Sequence, residues 1–207
     1  MSRKDTLLVL LVIALGIGAY VMRDQLRQSV RLVLYGKPCE RLTTYSLGAL
    51  DPRFNLTQAE ALEVIDTASS VWNTVADRQL FAYRAGGGDI TITFVYDDRQ
   101  QTTDKLQNIS RQSAEYYATA AESAGEQFDE GEYIGDGSTR VIRVYQFADR
   151  HKLLRLLEHE FGHALGLEHV TDDTSAIMYP LNKGVPEIPT QADMAEFARA
   201  CNDPANI

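Results

Sequence analysis

The chain has 207 residues but only two cysteines, one tryptophan, four histidines and six prolines. It also lacks a basic excess: 20 Lys and Arg stand against 29 Asp and Glu, for a net charge of −9. Without a positive stripe there is no electrostatic footprint for nucleic acid. The one glycine run, Gly86-Gly87-Gly88, is followed by neither Lys-Ser/Thr nor a dinucleotide pattern, so it is a turn and not a phosphate loop. The Asp- and Glu-rich stretch from Gly125 to Ser138 has no recognisable calcium-loop spacing; calcium is conceivable there but unsupported, and a solvated loop is expected. The apolar fraction of 44% is enough for one core, and one domain is the prior.

Three of the four histidines fall in one short segment. Residues 159 to 169 read His159-Glu160-Phe161-Gly162-His163-Ala164-Leu165-Gly166-Leu167-Glu168-His169, the form H-E-x-x-H-x-x-G-x-x-H. On a helix, residues i and i+4 share a face, so His159 and His163 can address one ion from adjacent turns. Glu160 lies about 100° round the helix from His159, within reach of a metal-bound water without being a ligand itself. Gly166 can adopt a left-handed conformation, end the helix and let His169 return to the same ion. Three nitrogens plus water form an open tetrahedral site, the catalytic pattern for a single Zn²⁺. Nine residues after His169, Met178 lies in Ser175-Ala176-Ile177-Met178-Tyr179-Pro180, the methionine turn that accompanies this motif.

In these two motifs the chain resembles the metzincin peptidases, and among them the matrixins. The resemblance implies zinc ligands at His159, His163 and His169, a general base at Glu160, and Met178 as an apolar floor that does not bind the metal. Gly166, Tyr179 and Pro180 would shape the site; Tyr179 directly follows the methionine, as in matrixins, and is not assigned as a ligand. It also implies a zincin-like α/β (α+β) fold, with a twisted mixed sheet, long helices, a zinc helix, a methionine turn and a small C-terminal subdomain. An edge strand would pair with an extended protein or peptide substrate. Residues 180–185 would wall the pocket for the side chain after the scissile bond, with Pro180-Leu181-Asn182 where matrixins usually have Pro-x-Tyr. The activity implied is endopeptidase hydrolysis by a zinc-activated water; the alternative is a membrane-tethered zinc-binding module that is latent or inactive. His151, alone outside the motif, is expected on the surface, too few for a second His-rich zinc site.

Three segments are expected. Residues 1–22 contain an uncharged run, Thr6 to Met22, whose 17 residues span roughly 25 Å as a helix, the short end for a membrane. It reads as an uncleaved transmembrane anchor or as a signal segment removed on secretion. Arg3 and Lys4 argue for a cytoplasmic N-terminus while Arg23, Arg27 and Arg31 pull the other way. An early apolar segment favours export, which places the catalytic domain outside the cytoplasm. Residues 23–38 form a juxtamembrane linker, and 39–207 the peptidase domain. Cys39 and Cys201 stand at the two ends of that domain, where a disulfide could contribute up to about 4–5 kcal/mol; free thiols, or Cys39 as a zinc-blocking thiol, are the alternatives.

Within the domain the expected order is a strand at 43–48, a turn at Asp51-Pro52, and a long helix opened by the capping box Thr57-Gln58-Ala59-Glu60. Ala61, Ile65, Ala68, Trp72 and Val75 form its buried stripe. A strand at 89–96, a helix at 104–124, a strand at 140–147, the zinc helix from Asp149 and a final helix capped by Thr190 complete the order.

Overall fold

The computed structural model describes residues 39–112, 130–135, 139–183 and 188–202. The apolar run at 6–22, the linker and residues 113–124 of the expected second helix lie outside the described residues. Among the described residues no helix is long and apolar enough to cross a membrane.

Strand β1 (Thr43–Leu50) is followed by a single 3-10 turn at Pro52–Phe54, where the Asp51 side chain accepts from the Arg53 amide. Helix α1 (Gln58–Val75) starts at the expected capping box: Thr57 N–H donates to the Glu60 carboxylate at 2.8 Å, and Glu60 N–H to the Thr57 hydroxyl at 3.2 Å. Ala61, Ile65, Ala68 and Trp72 are buried along it, and Val75 is half-buried. Next come β2 (Phe81–Tyr83), β3 (Ile90–Phe94), α2 (Asp98–Gln112), β4 (Gly131–Gly135) and β5 (Arg140–Val144). The chain closes with α3 (Arg150–Ala164) and α4 (Gln191–Asn202).

The strands form one mixed sheet in the order β2-β1-β3-β5-β4. The first four run parallel and β4 pairs antiparallel with β5 at the end. Ile90, Ile92 and Phe94 alternate into the core. Helices α1 and α3 pack together, with Trp72 wholly buried and its indole N–H donating 2.8 Å to the Glu158 carbonyl. The Trp72 ring also stacks on Phe197 of α4, the core role its stripe predicts.

Three sequence expectations need correction. The stretch Gly125 to Ser138 is not wholly a loop, because 131–135 forms the antiparallel edge strand β4. All five of its residues are half-buried, so no alternation marks it in sequence. Strand β2 was not expected either; three residues carry too little periodicity. Helix α2 starts at Asp98 instead of 104, since Asp97 accepts the Arg99 amide at 2.9 Å and nucleates the first turn. Of the three readings of the cysteines, the structure has the disulfide: Cys39 and Cys201 are bonded, with Cα atoms 5.4 Å apart.

Candidate metal centre

Helix α3 is drawn into the core by Leu153, Leu154, Leu156, Leu157, Phe161 and Ala164, and Asp149 caps it through the Lys152 amide at 2.9 Å. Burial of that apolar side orients the helix. His159 and His163, one turn apart, then emerge together with ring centroids separated by 4.6 Å. His151, in the first turn, is exposed.

The helix ends where the glycine predicts. Gly166 has φ of +87°, Gly166 N–H donates 3.0 Å to the His163 carbonyl and Leu167 N–H donates 3.1 Å to the Gly162 carbonyl. This is a Schellman cap, with the left-handed residue one position past the cap residue Leu165. It reverses the chain and brings His169 back, so that His169 Nε2 lies 3.2 Å from Nε2 of both His159 and His163.

The donor chemistry points to a cation. The Nδ1 atom of His159 lies 2.8 Å from the Ile177 carbonyl, and that of His163 lies 2.9 Å from the Leu167 carbonyl. A carbonyl only accepts, so both rings carry their proton on Nδ1 and turn an Nε2 lone pair inward. Burial lowers the His159 pKa to about 3, assisted by the neighbouring His163, and burial also lowers that of His163. The lone pairs of His159 and His163 both lie 3.2 Å from His169 Nε2, which has at most one proton to offer, whereas an ion between the three nitrogens would satisfy both. Ligand bonds of about 2.0–2.1 Å at tetrahedral angles put nitrogens roughly 3.3–3.4 Å apart, so the spacing fits zinc. Among the described residues these three histidines are the one group of His, Cys, Asp and Glu side chains that could hold a metal ion.

Below the triad lies the methionine turn. Met178 is wholly buried, and a Cβ built on Gly162 would come within 2.3 Å of its sulfur. Gly162 is therefore the residue that lets the turn press against the helix. The turn is tied down from α4: Asp193, itself fully buried, accepts Ile177 N–H and Met178 N–H at 2.8 Å each. It also accepts the Thr190 amide at 2.8 Å as part of the helix cap. Arg155, 2% exposed, donates to the Ala176 carbonyl. Desolvation lowers its pKa, opposed by Glu158 and Asp193. Glu160 follows His159 on α3 and is 4% exposed, while Tyr179 is half-buried and Pro180 exposed.

The segment after the turn is fastened by Asn182, the residue at the third position of Pro-x-Tyr. Its amide donates to the Glu130 carboxylate and, at 2.9 Å, to the Lys152 carbonyl; the Lys152 ammonium donates to the Asn182 carbonyl. Burial pushes the Glu130 pKa up to about 7, against the Asn182 hydrogen bond and the Lys152 charge.

Sequence reasoning singled out the histidines, Glu160, Gly166 and Met178 as candidates but passed over Gly162 and the anchoring role of Asp193. The signal for Gly162 was its place inside a well-formed helix, where glycine costs about 1 kcal/mol relative to alanine and so calls for a packing reason. Asp193 was legible only as a first-turn acid.

Comparison with known proteins follows the same residues. Residues 39–196 match the matrixin family model. The bovine (Bos taurus) interstitial collagenase is 30% identical over 148 residues, 70% of this chain and 29% of that protein. The rabbit (Oryctolagus cuniculus) interstitial collagenase is 30% identical over 66% of this chain and 26% of its own length. Human (Homo sapiens) matrix metalloproteinase-20 is 26% identical over 68% and 26% respectively. The match thus spans little more than a quarter of these relatives. With the zinc-helix motif, the glycine turn and the methionine turn all lying inside the matched region, the chain belongs to the matrixin family.

Proposed function

We propose that this protein is a zinc-dependent endopeptidase acting outside the cytoplasm. The observation that carries the reading is the convergence of three Nε2 atoms at 3.2 Å contacts, two of them with their tautomer set by backbone carbonyls. His159, His163 and His169 would hold the ion. When bound, zinc supplies Lewis acidity, lowering the pKa of a coordinated water to about 7 and polarising the peptide carbonyl. Glu160 takes the proton from the attacking water and returns it to the departing amine, a general base and then a general acid. Its low exposure keeps that carboxylate away from bulk solvent. Met178 keeps the floor of the site apolar.

The substrate is an extended peptide. Strand β4 terminates the sheet, and a Cβ on its first residue, Gly131, would lie 3.0 Å from Leu156 of the zinc helix. A peptide adding to that edge runs alongside the ligand helix. Residues 180–183, held by Asn182, wall the side where the chain after the scissile bond leaves. A buried disulfide between the ends of the domain supports an oxidising compartment. The run at 6–22 acts there as an anchor or as a secretion signal.

The test is incubation of the purified full chain with a random-peptide mixture, alone, with a zinc chelator, and with zinc restored. Cleavage that stops with chelator and returns with zinc is the expected result. Zinc-loaded, folded protein that leaves every peptide intact would overturn the endopeptidase reading and favour a latent or purely zinc-binding role.

A further inference from the structure

The three ligands are not held alike. His159 and His163 ride on α3, and each has its Nδ1 hydrogen on a backbone carbonyl. His169 is exposed, sits in a loop and, among the described residues, makes no hydrogen bond through Nδ1. What holds it is the backbone on either side. Glu168 N–H donates 2.6 Å to the Glu196 carboxylate, and Val170 N–H donates 2.9 Å to the Met178 carbonyl. Met178 is in turn held by Asp193, so both restraints lead to α4. Arg199 donates 2.8 Å to the other Glu196 oxygen and fixes the carboxylate's direction. The C-terminal end of α4 is bonded through Cys201 to Cys39, whose sulfur lies 3.9 Å from the carbonyl of Leu165, the cap of the zinc helix. Helix α4 is thus a strap across the ligand loop, bonded through the disulfide to Cys39, whose sulfur packs beside the end of the ligand helix.

We infer that Glu196 is a positioning residue for His169, and that the Cys39–Cys201 bridge keeps it in register with the zinc helix. The inference rests on the zinc site proposed above. It makes the third ligand's contribution depend on a cysteine pair staying oxidised, though neither cysteine touches a metal ligand.

The experiment is chelator-driven zinc release from the zinc-loaded full chain, followed in parallel with thermal melting. Loss of an outer partner of a metal ligand typically costs 10–100-fold in metal affinity. Glu196→Ala is expected to speed release by about tenfold, and Glu196→Gln, whose amide oxygen still accepts the Glu168 N–H, to restore most of it. Combined Cys39→Ser and Cys201→Ser should speed release similarly, with Glu196→Ala adding less than about twofold on that background. Should the serine variant fail to fold, hydrogen exchange of the Glu168 amide in phosphine-reduced protein replaces it, with faster exchange expected. Release from Glu196→Ala within about twofold of the parent overturns the role of Glu196. Full additivity with the serine variant, or unchanged amide exchange on reduction, overturns the role of the bridge. A chain that binds no zinc at all instead fails the reading of the site, so the two failures are distinct.

Discussion

His159 and His163 owe their positions to helical periodicity; His169 owes its position to the rest of the molecule. The first two stand one turn apart on a buried helix, whose periodicity alone turns them to one side. The third arrives through a left-handed glycine and a loop whose flanking amides bond to α4 and to the methionine turn. A candidate metal site can thus be half local and half tertiary, and the two halves should fail in different ways.

The largest effect expected from breaking this comparison is His163→Ala. Alanine keeps the helix, so folding should survive while zinc affinity falls by roughly a third of a total binding free energy of about 10–16 kcal/mol. Equilibrium dialysis against zinc with circular dichroism checks both halves of the statement. Glu160→Ala comes next: turnover should drop by about 10²–10⁴-fold with zinc content unchanged, measured as kcat on a fluorogenic peptide beside metal analysis. Retained turnover would remove Glu160 from the mechanism.

The two glycines sharpen the contrast. Gly162→Ala places a methyl against the Met178 sulfur and should cost about 1–3 kcal/mol of stability. Gly166→Ala, at φ of +87°, should cost about 1–2 kcal/mol of backbone strain. Thermal melting gives the totals, while zinc release separates them. We expect Gly166→Ala to accelerate release more per unit of lost stability, because it displaces only the loop ligand.

An effect confined to one pH range lies at the far end of the ligand helix. Burial raises the Glu130 pKa from 4.5 to about 7. Between those values the unfolded chain is ionised while the folded one keeps its proton, so stability should fall as pH rises from about 4.5 to about 7 and level off above. Glu130→Gln should remove that fall, a gain on the order of 2 kcal/mol at pH 8. Denaturant melts at pH 4.5 and pH 8 test it; an unchanged difference between the two pH values would refute the assignment.

Elements with a strong local signal were legible in the sequence. The capping box at Thr57 and Glu60, the stripe through Trp72 and the zinc helix from Asp149 all stand where periodicity and capping place them. Elements without one were not. Strand β2 has three residues, and β4 lies at a half-buried edge with glycine at both ends, so each exists because a neighbouring strand offers hydrogen bonds. The start of α2 was misplaced because a short side-chain bond from Asp97 outweighed the apolar pattern.

By itself the sequence determined which atoms can meet a metal: the 3.6-residue period aligns His159 with His163, and glycine's freedom at Gly166 permits the return of His169. Those are short-range effects of backbone geometry, written within eleven consecutive residues. Only the tertiary structure decided how the third histidine is held and how the methionine turn is seated. Glu196, Asp193 and the Cys39–Cys201 bond act across separations of 28, 15 and 162 residues. Such contacts form only once burial of the core has brought distant segments together, and no local pattern in the chain records them.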